Sequence, residues 1–173
     1  MGRSQVVLAA AAVVAVVCAG VFAALYFLSD AETRTVLAKP CGDRIFGHIA
    51  SLERQGDHFA LRFDPAWFTS GVTANTAAAE DGAVDAGQPV PNDNYVIEEG
   101  HRLLTYVVQR EARVTVLTRG GPGPLGETPI TVSELARIVS GRGQRPLLEP
   151  LDSGVWLRVH VDTACSLEQQ YRP

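Results

Sequence analysis

Four histidines, His48, His58, His101 and His160, are the side chains best suited to proton transfer or metal binding near neutral pH, and they are scattered along the chain. None forms the His-Glu-x-x-His stretch that puts two ligands on one helical face, and no cysteine sits at ligand spacing beside them. No serine occupies a Gly-x-Ser-x-Gly elbow, so hydrolase chemistry would need a constellation assembled only in three dimensions. The glycine- and proline-rich stretch 119–126 lacks the Gly-Lys-Ser/Thr ending of a phosphate-binding loop and reads as a connection. Glu80, Asp81, Asp85, Asn92, Asp93 and Asn94 supply hard oxygen donors of the kind calcium prefers, but they miss the spaced ladder of an EF-hand. The expectation is therefore no catalytic residue, no metal and no cofactor, with solvated loop polarity as the ordinary role of the acidic cluster.

Two other residue types carry more. Cys41 and Cys165 are an even pair that flanks nearly the whole chain after its apolar start, the usage expected of one disulfide in an oxidising compartment. Trp67 and Phe68 follow an Asp-Pro pair, while Trp156 alternates with Arg158 and His160 on the more polar side of an otherwise apolar strand. These five residues are the candidate interaction surface, because aromatic and arginine side chains in polar settings dominate recognition sites. Burial of Trp156 under a second layer is the competing structural role.

The elements that must position them begin with an address. Residues 6–28 are apolar without a charged side chain. At about 1.5 Å rise per residue they cover about 34 Å, enough to cross a hydrocarbon core of about 30 Å. That length predicts a transmembrane signal-anchor, with residues 1–5 as a short cytoplasmic tail, 29–40 as a stalk ending in proline, and 41–173 as an extracytoplasmic domain. Small residues around Ala19 and Ala23 keep cleavage and secretion as the alternative. Cys18 lacks the small preceding residue of a lipobox, and Val6 stands where myristoylation wants Ser or Thr. A formal net charge of −4 offers no general footprint for nucleic acid.

Within the domain, period-two alternation predicts strands over 44–52, 59–63 and 155–161, the first two joined as a hairpin through Gly56. Asp64-Pro65 predicts a helix start, with aspartate as cap and proline at the first helical position. Alanine-rich residues 72–81 favour helix, and Gly82 suits the left-handed position that ends it. Short strands are expected at 95–98, 103–108 and 113–118. A second helix starts at Thr131, whose capping-box partner is Glu134, and runs to Val139 with Gly141 as terminator. Arg137, Arg142 and Arg145 then form a basic patch at its solvated end.

The runs Phe63-Asp64-Pro65-Ala66-Trp67-Phe68-Thr69-Ser70-Gly71 and Pro91-Asn92-Asp93-Asn94-Tyr95-Val96, with the closing Gln170-Tyr171-Arg172-Pro173, resemble a family of uncharacterised secreted or membrane-anchored actinobacterial proteins. The resemblance covers most of residues 44–173 and implies no known activity. The sequence as a whole predicts a mainly β (α+β) domain, a small β-barrel or sandwich with two short helices, behind one N-terminal transmembrane helix. Its expected function is a non-catalytic cell-envelope interaction module with an envelope protein partner. The alternative is a secreted hydrolase or small-ligand carrier.

Overall fold

The computed structural model describes residues 41–98, 100 and 102–172. The tail, membrane span and stalk expected over residues 1–40, and His101, lie outside them. Among the described residues no helix is long and apolar enough to cross a membrane.

The chain opens as a hairpin of β1 (Asp43–Gln55) and β2 (His58–Ser70), turning through Gly56 at φ +62°. Helix α1 (Gly71–Glu80), strands β3 (Asn94–Ile97), β4 (Leu104–Leu117) and β5 (Glu127–Ile130), helix α2 (Val132–Val139), and strands β6 (Val155–His160) and β7 (Thr163–Gln169) follow. Single 3-10 turns at Pro91–Asp93 and Leu151–Ser153 lead into β3 and β6.

Hydrogen bonding closes five of these strands into a ring. β1 pairs antiparallel with β2 and β6, β6 with β7, and β2 with β4, while β4 and β7 complete the circuit as the one parallel pair. Closure removes the exposed edges that an open sheet of this size would carry. β3 extends the far half of β2, and β5 extends the far half of β4. The expected choice between barrel and sandwich thus falls to a closed barrel with two helices.

Alternation fills it. Leu61 pairs with Leu52 of β1 and Tyr106 of β4, and Phe59 pairs with Val108, so their shared parity turns one face of each strand inward. Leu157 and Leu167 face each other across β6 and β7. Amphipathic α2 packs against β1 and β4 and adds Val132 and Leu135 to the same buried core. The order of ring strands, one parallel pair, and a helix between the third and fourth barrel strands together make the connectivity of the OB-fold, a five-stranded Greek-key barrel. A smaller cluster, Ala74, Ala78 and Val90 with Val84 and Tyr95, holds α1 on β3.

Three expectations need correction. Asp64-Pro65 starts no helix: β2 runs on to Ser70 and α1 begins only at Gly71, with φ +61°. Proline also drives the residue before it into extended geometry. Here it sits where β2 has left β4, after Phe63–Leu104, and not yet met β3 at Trp67–Ile97, a stretch of edge that tolerates a missing N–H. Residues 103–108 and 113–118 are not two strands but one, β4, because the polar residues between them stay extended beside the hairpin, where an Arg110 terminal nitrogen donates to Gly56 O at 3.2 Å. At α2 only half of the capping box forms. Thr131 Oγ1 accepts from the Glu134 backbone N–H at 3.1 Å, whereas the Glu134 carboxylate accepts from Arg145 Nε at 2.5 Å.

Candidate functional site

An aromatic cluster lies outside the barrel. In β1, Ile45 and Ile49 pack against the core, so the intervening Phe46 and His48 belong to the outer face. Phe46 is opposite Trp156 of β6 on one side and Ala66 of β2 on the other. Phe68, two residues beyond Ala66, shares that face. The ring centroids of Phe46 and Trp156 are 5.1 Å apart, those of Phe46 and Phe68 also 5.1 Å, and those of Phe68 and Trp156 5.7 Å, tilted or edge-to-face as aromatic quadrupoles prefer.

Polar groups fix the rim. Trp156 Nε1 donates to Gln170 Oε1 at 2.6 Å, which orients the indole. Arg44 lies 4.1 Å over the Trp156 ring, a cation–π contact, and pairs with Glu168 at 3.7 Å. Together Arg44, Ile45, Phe46, Pro65, Ala66, Trp67, Phe68 and Trp156 line a cleft of about 380 Å³. Phe46 is fully buried at its base, whereas Trp67 is 60% exposed at its lip. Such a recess can hold an apolar or planar group against aromatic faces with one guanidinium beside it. Among the described residues none that lines it is a His, Cys, Ser, Asp or Glu.

Of the five candidate surface residues, Trp67, Phe68 and Trp156 come together in this cleft. Arg158 and His160 follow Trp156 on the same strand but do not line it; Arg158 stands opposite Arg44 and Ser166, and His160 ends β6 opposite Thr163. Sequence reading missed Phe46 and Arg44. Their signal was parity: in the strand expected over 44–52, both sit on the face opposite Ile45.

The other reactive residue types are dispersed. His48 Nε2 donates to Glu98 Oε1 at 2.8 Å, and His58 Nδ1 donates to Asp57 Oδ1 at 3.0 Å, a hydrogen bond that holds the Asp57 carboxyl below its usual range. Tyr95 Oη donates to Asp81 Oδ2 at 3.0 Å, and that bond raises the phenol above its ordinary value. Asn94 Nδ2 donates to Asn92 O at 2.8 Å, so part of the expected acidic loop satisfies itself. Among the described residues no group of three or more His, Cys, Asp or Glu gathers as a metal site would require. Cys41 and Cys165 are joined in a disulfide with Cα atoms 6.1 Å apart.

Barrel and cleft together define a small closed β-barrel carrying an aromatic recess on its outer wall. Comparison with protein families, with curated proteins and with solved structures finds no match to this chain. A barrel of this connectivity does not by itself determine activity.

Proposed function

We propose that this chain is a non-catalytic interaction module of the cell envelope, anchored by residues 6–28 with its barrel outside the cytoplasm, and related to the secreted or membrane-anchored actinobacterial proteins its motifs resemble. The observation that carries the interaction reading is Trp67. A tryptophan left 60% exposed at the lip of an aromatic cleft is costly to leave against water and is the residue type most enriched at binding hot spots. The Cys41–Cys165 disulfide supports an oxidising compartment, where such bonds persist.

The test is photo-crosslinking in native membranes from a reactive residue at position 67, with position 119 on a different exposed surface as control. One envelope protein should cross-link from position 67 and not from position 119. Trp67→Ala should weaken that association at least about tenfold, the loss expected of a hot-spot tryptophan. Equal labelling from both positions, or a soluble form with substrate turnover, defeats the proposal. A carbonate wash that extracts the protein defeats the anchor separately.

A further inference from the structure

A second cleft, of about 830 Å³, lies between β1 and α2, away from the aromatic recess. Its floor is apolar, built from Leu52, Phe59, Ala136 and Val139, and its rim carries Arg54, Arg137 and Arg142 with the hydroxyls of Ser133 and Ser140. Glu53 is the one carboxylate among the lining residues. Three guanidiniums against one carboxylate reverse locally the sign of a chain whose formal net charge is −4.

The ordinary role for arginines at a helix end is to satisfy its last carbonyls, and here that role is already filled. Backbone N–H groups of Ser140 and Gly141 donate to Ala136 O and Ile138 O, those of Arg142 and Gly143 both donate to Arg137 O, and Ser140 Oγ adds a third bond to Arg137 O. Nor are the guanidiniums used up by carboxylates. Arg145 is the one paired with Glu134. Among the described residues Arg54 and Arg142 commit only Nε, to Gly56 O at 3.2 Å and Ser140 Oγ at 3.0 Å, and their terminal nitrogens bond to none of them. The Arg137 guanidinium has no hydrogen bond or ion pair among the described residues.

From this geometry we infer that the cleft is a binding site for a phosphate monoester carrying an apolar group. The planar fork of guanidinium matches phosphate oxygens in pairs of charge-assisted hydrogen bonds, and the volume falls within the range of small-ligand sites. Leu52 and Phe59 are also core residues, so packing on the barrel interior fixes the floor that the apolar moiety meets. A phosphorylated lipid headgroup and a soluble phosphomonoester share this chemistry.

Calorimetric titration of the full-length protein in phosphatidylcholine nanodiscs tests it, with hexyl phosphate, inorganic phosphate and hexanol as probes. Hexyl phosphate should bind at least tenfold more tightly than inorganic phosphate or hexanol. Arg54→Gln/Arg137→Gln/Arg142→Gln should cut its affinity at least tenfold with an unchanged circular dichroism spectrum. Ala136→Leu, which fills the floor, should weaken hexyl phosphate and spare inorganic phosphate. Adding phosphatidate to the discs assigns the source: competition identifies a lipid headgroup, and its absence a soluble ester. Trp67→Ala should leave the titration unchanged, which separates this site from the aromatic contact surface. Protein that stays outside the discs is titrated in free solution, so anchoring does not enter. No heat from hexyl phosphate, equal binding by the triple variant, or inorganic phosphate binding as tightly overturns the inference.

Discussion

Single residues decide how the outer aromatic cluster and the barrel interior tolerate change. Gly154 sits at φ +101°, and a Cβ there would lie 2.2 Å from Cζ of Phe46. Gly154→Ala should therefore destabilise the fold by more than about 1 kcal/mol in urea unfolding, because strain and overlap add. Combining it with Phe46→Leu should cost less than the sum of the two changes, since the shorter side chain vacates the contested space. Tyr106 lies partly buried against the core, and burial raises its phenol above 10.0. A raised folded pKa means the neutral phenol is favoured by folding, so this stability is complete below about pH 10 and lost as pH climbs through the folded pKa. Urea midpoints should fall above that pH, and Tyr106→Phe should flatten the decline while leaving neutral-pH stability near that of the parent. A midpoint that declines identically in both proteins would rule out Tyr106 as the titrating group. The cleft shows why sites resist reading at this scale. Trp67, Phe68 and Trp156 stand out by residue type, but Phe46 and Arg44 become site residues only through the pairing of β1 with β6.

Elements with strong local signals were legible in the sequence, and those created by pairing were not. α2 begins and ends where Thr131 and Gly141 indicate, because cap chemistry is contained within a few residues. Thr131→Ala should cost about 1 kcal/mol by removing the acceptor for the Glu134 N–H, measurable as a lower urea midpoint with an unchanged slope. Glu134→Gln should cost less, since the carboxylate serves exposed Arg145 rather than the cap. The hairpin and β6 were likewise readable, as alternation is a property of neighbours in sequence. β7 was not, although it lies between β6 and β4 and is the strand that closes the ring. Its Ala164, Ser166, Leu167 and Gln169 are all buried, a pattern broken by the register shift opposite Arg158 and Val159. Four-residue β5 contains Pro129 and is a strand only because it borders β4. The extension of β2 through Pro65 has the same origin. Sheet partners far along the chain override the local preference at Asp64-Pro65.

At the scale of the whole molecule, closing the ring and cross-linking its ends are one device. Arg158 pairs with Ser166 and Val159 with Ala164, so Cys165 is the extra residue of a bulge in β7. Its partner Cys41 lies two residues before the start of β1, the strand on the other side of β6. The disulfide thus straps β1 to β7 over the strand between them and ties together residues 124 apart. For a loop of that length the entropic model gives up to about 4–5 kcal/mol, and removing native disulfides from small secreted domains typically costs about 2–5 kcal/mol. That is a large share of the stability of a domain this size. Cys41→Ala/Cys165→Ala should therefore unfold at a clearly lower urea concentration. Its unfolding slope should be steeper, because the uncrosslinked denatured chain exposes more surface. Reducing the parent protein with dithiothreitol should reproduce both changes and should leave the double variant untouched. A parent whose midpoint and slope ignore reductant would show that the barrel's hydrogen-bonded closure suffices without the strap. It would also remove the main support for the proposed oxidising compartment, leaving the proposal of an extracytoplasmic domain to rest on the apolar N-terminal run alone.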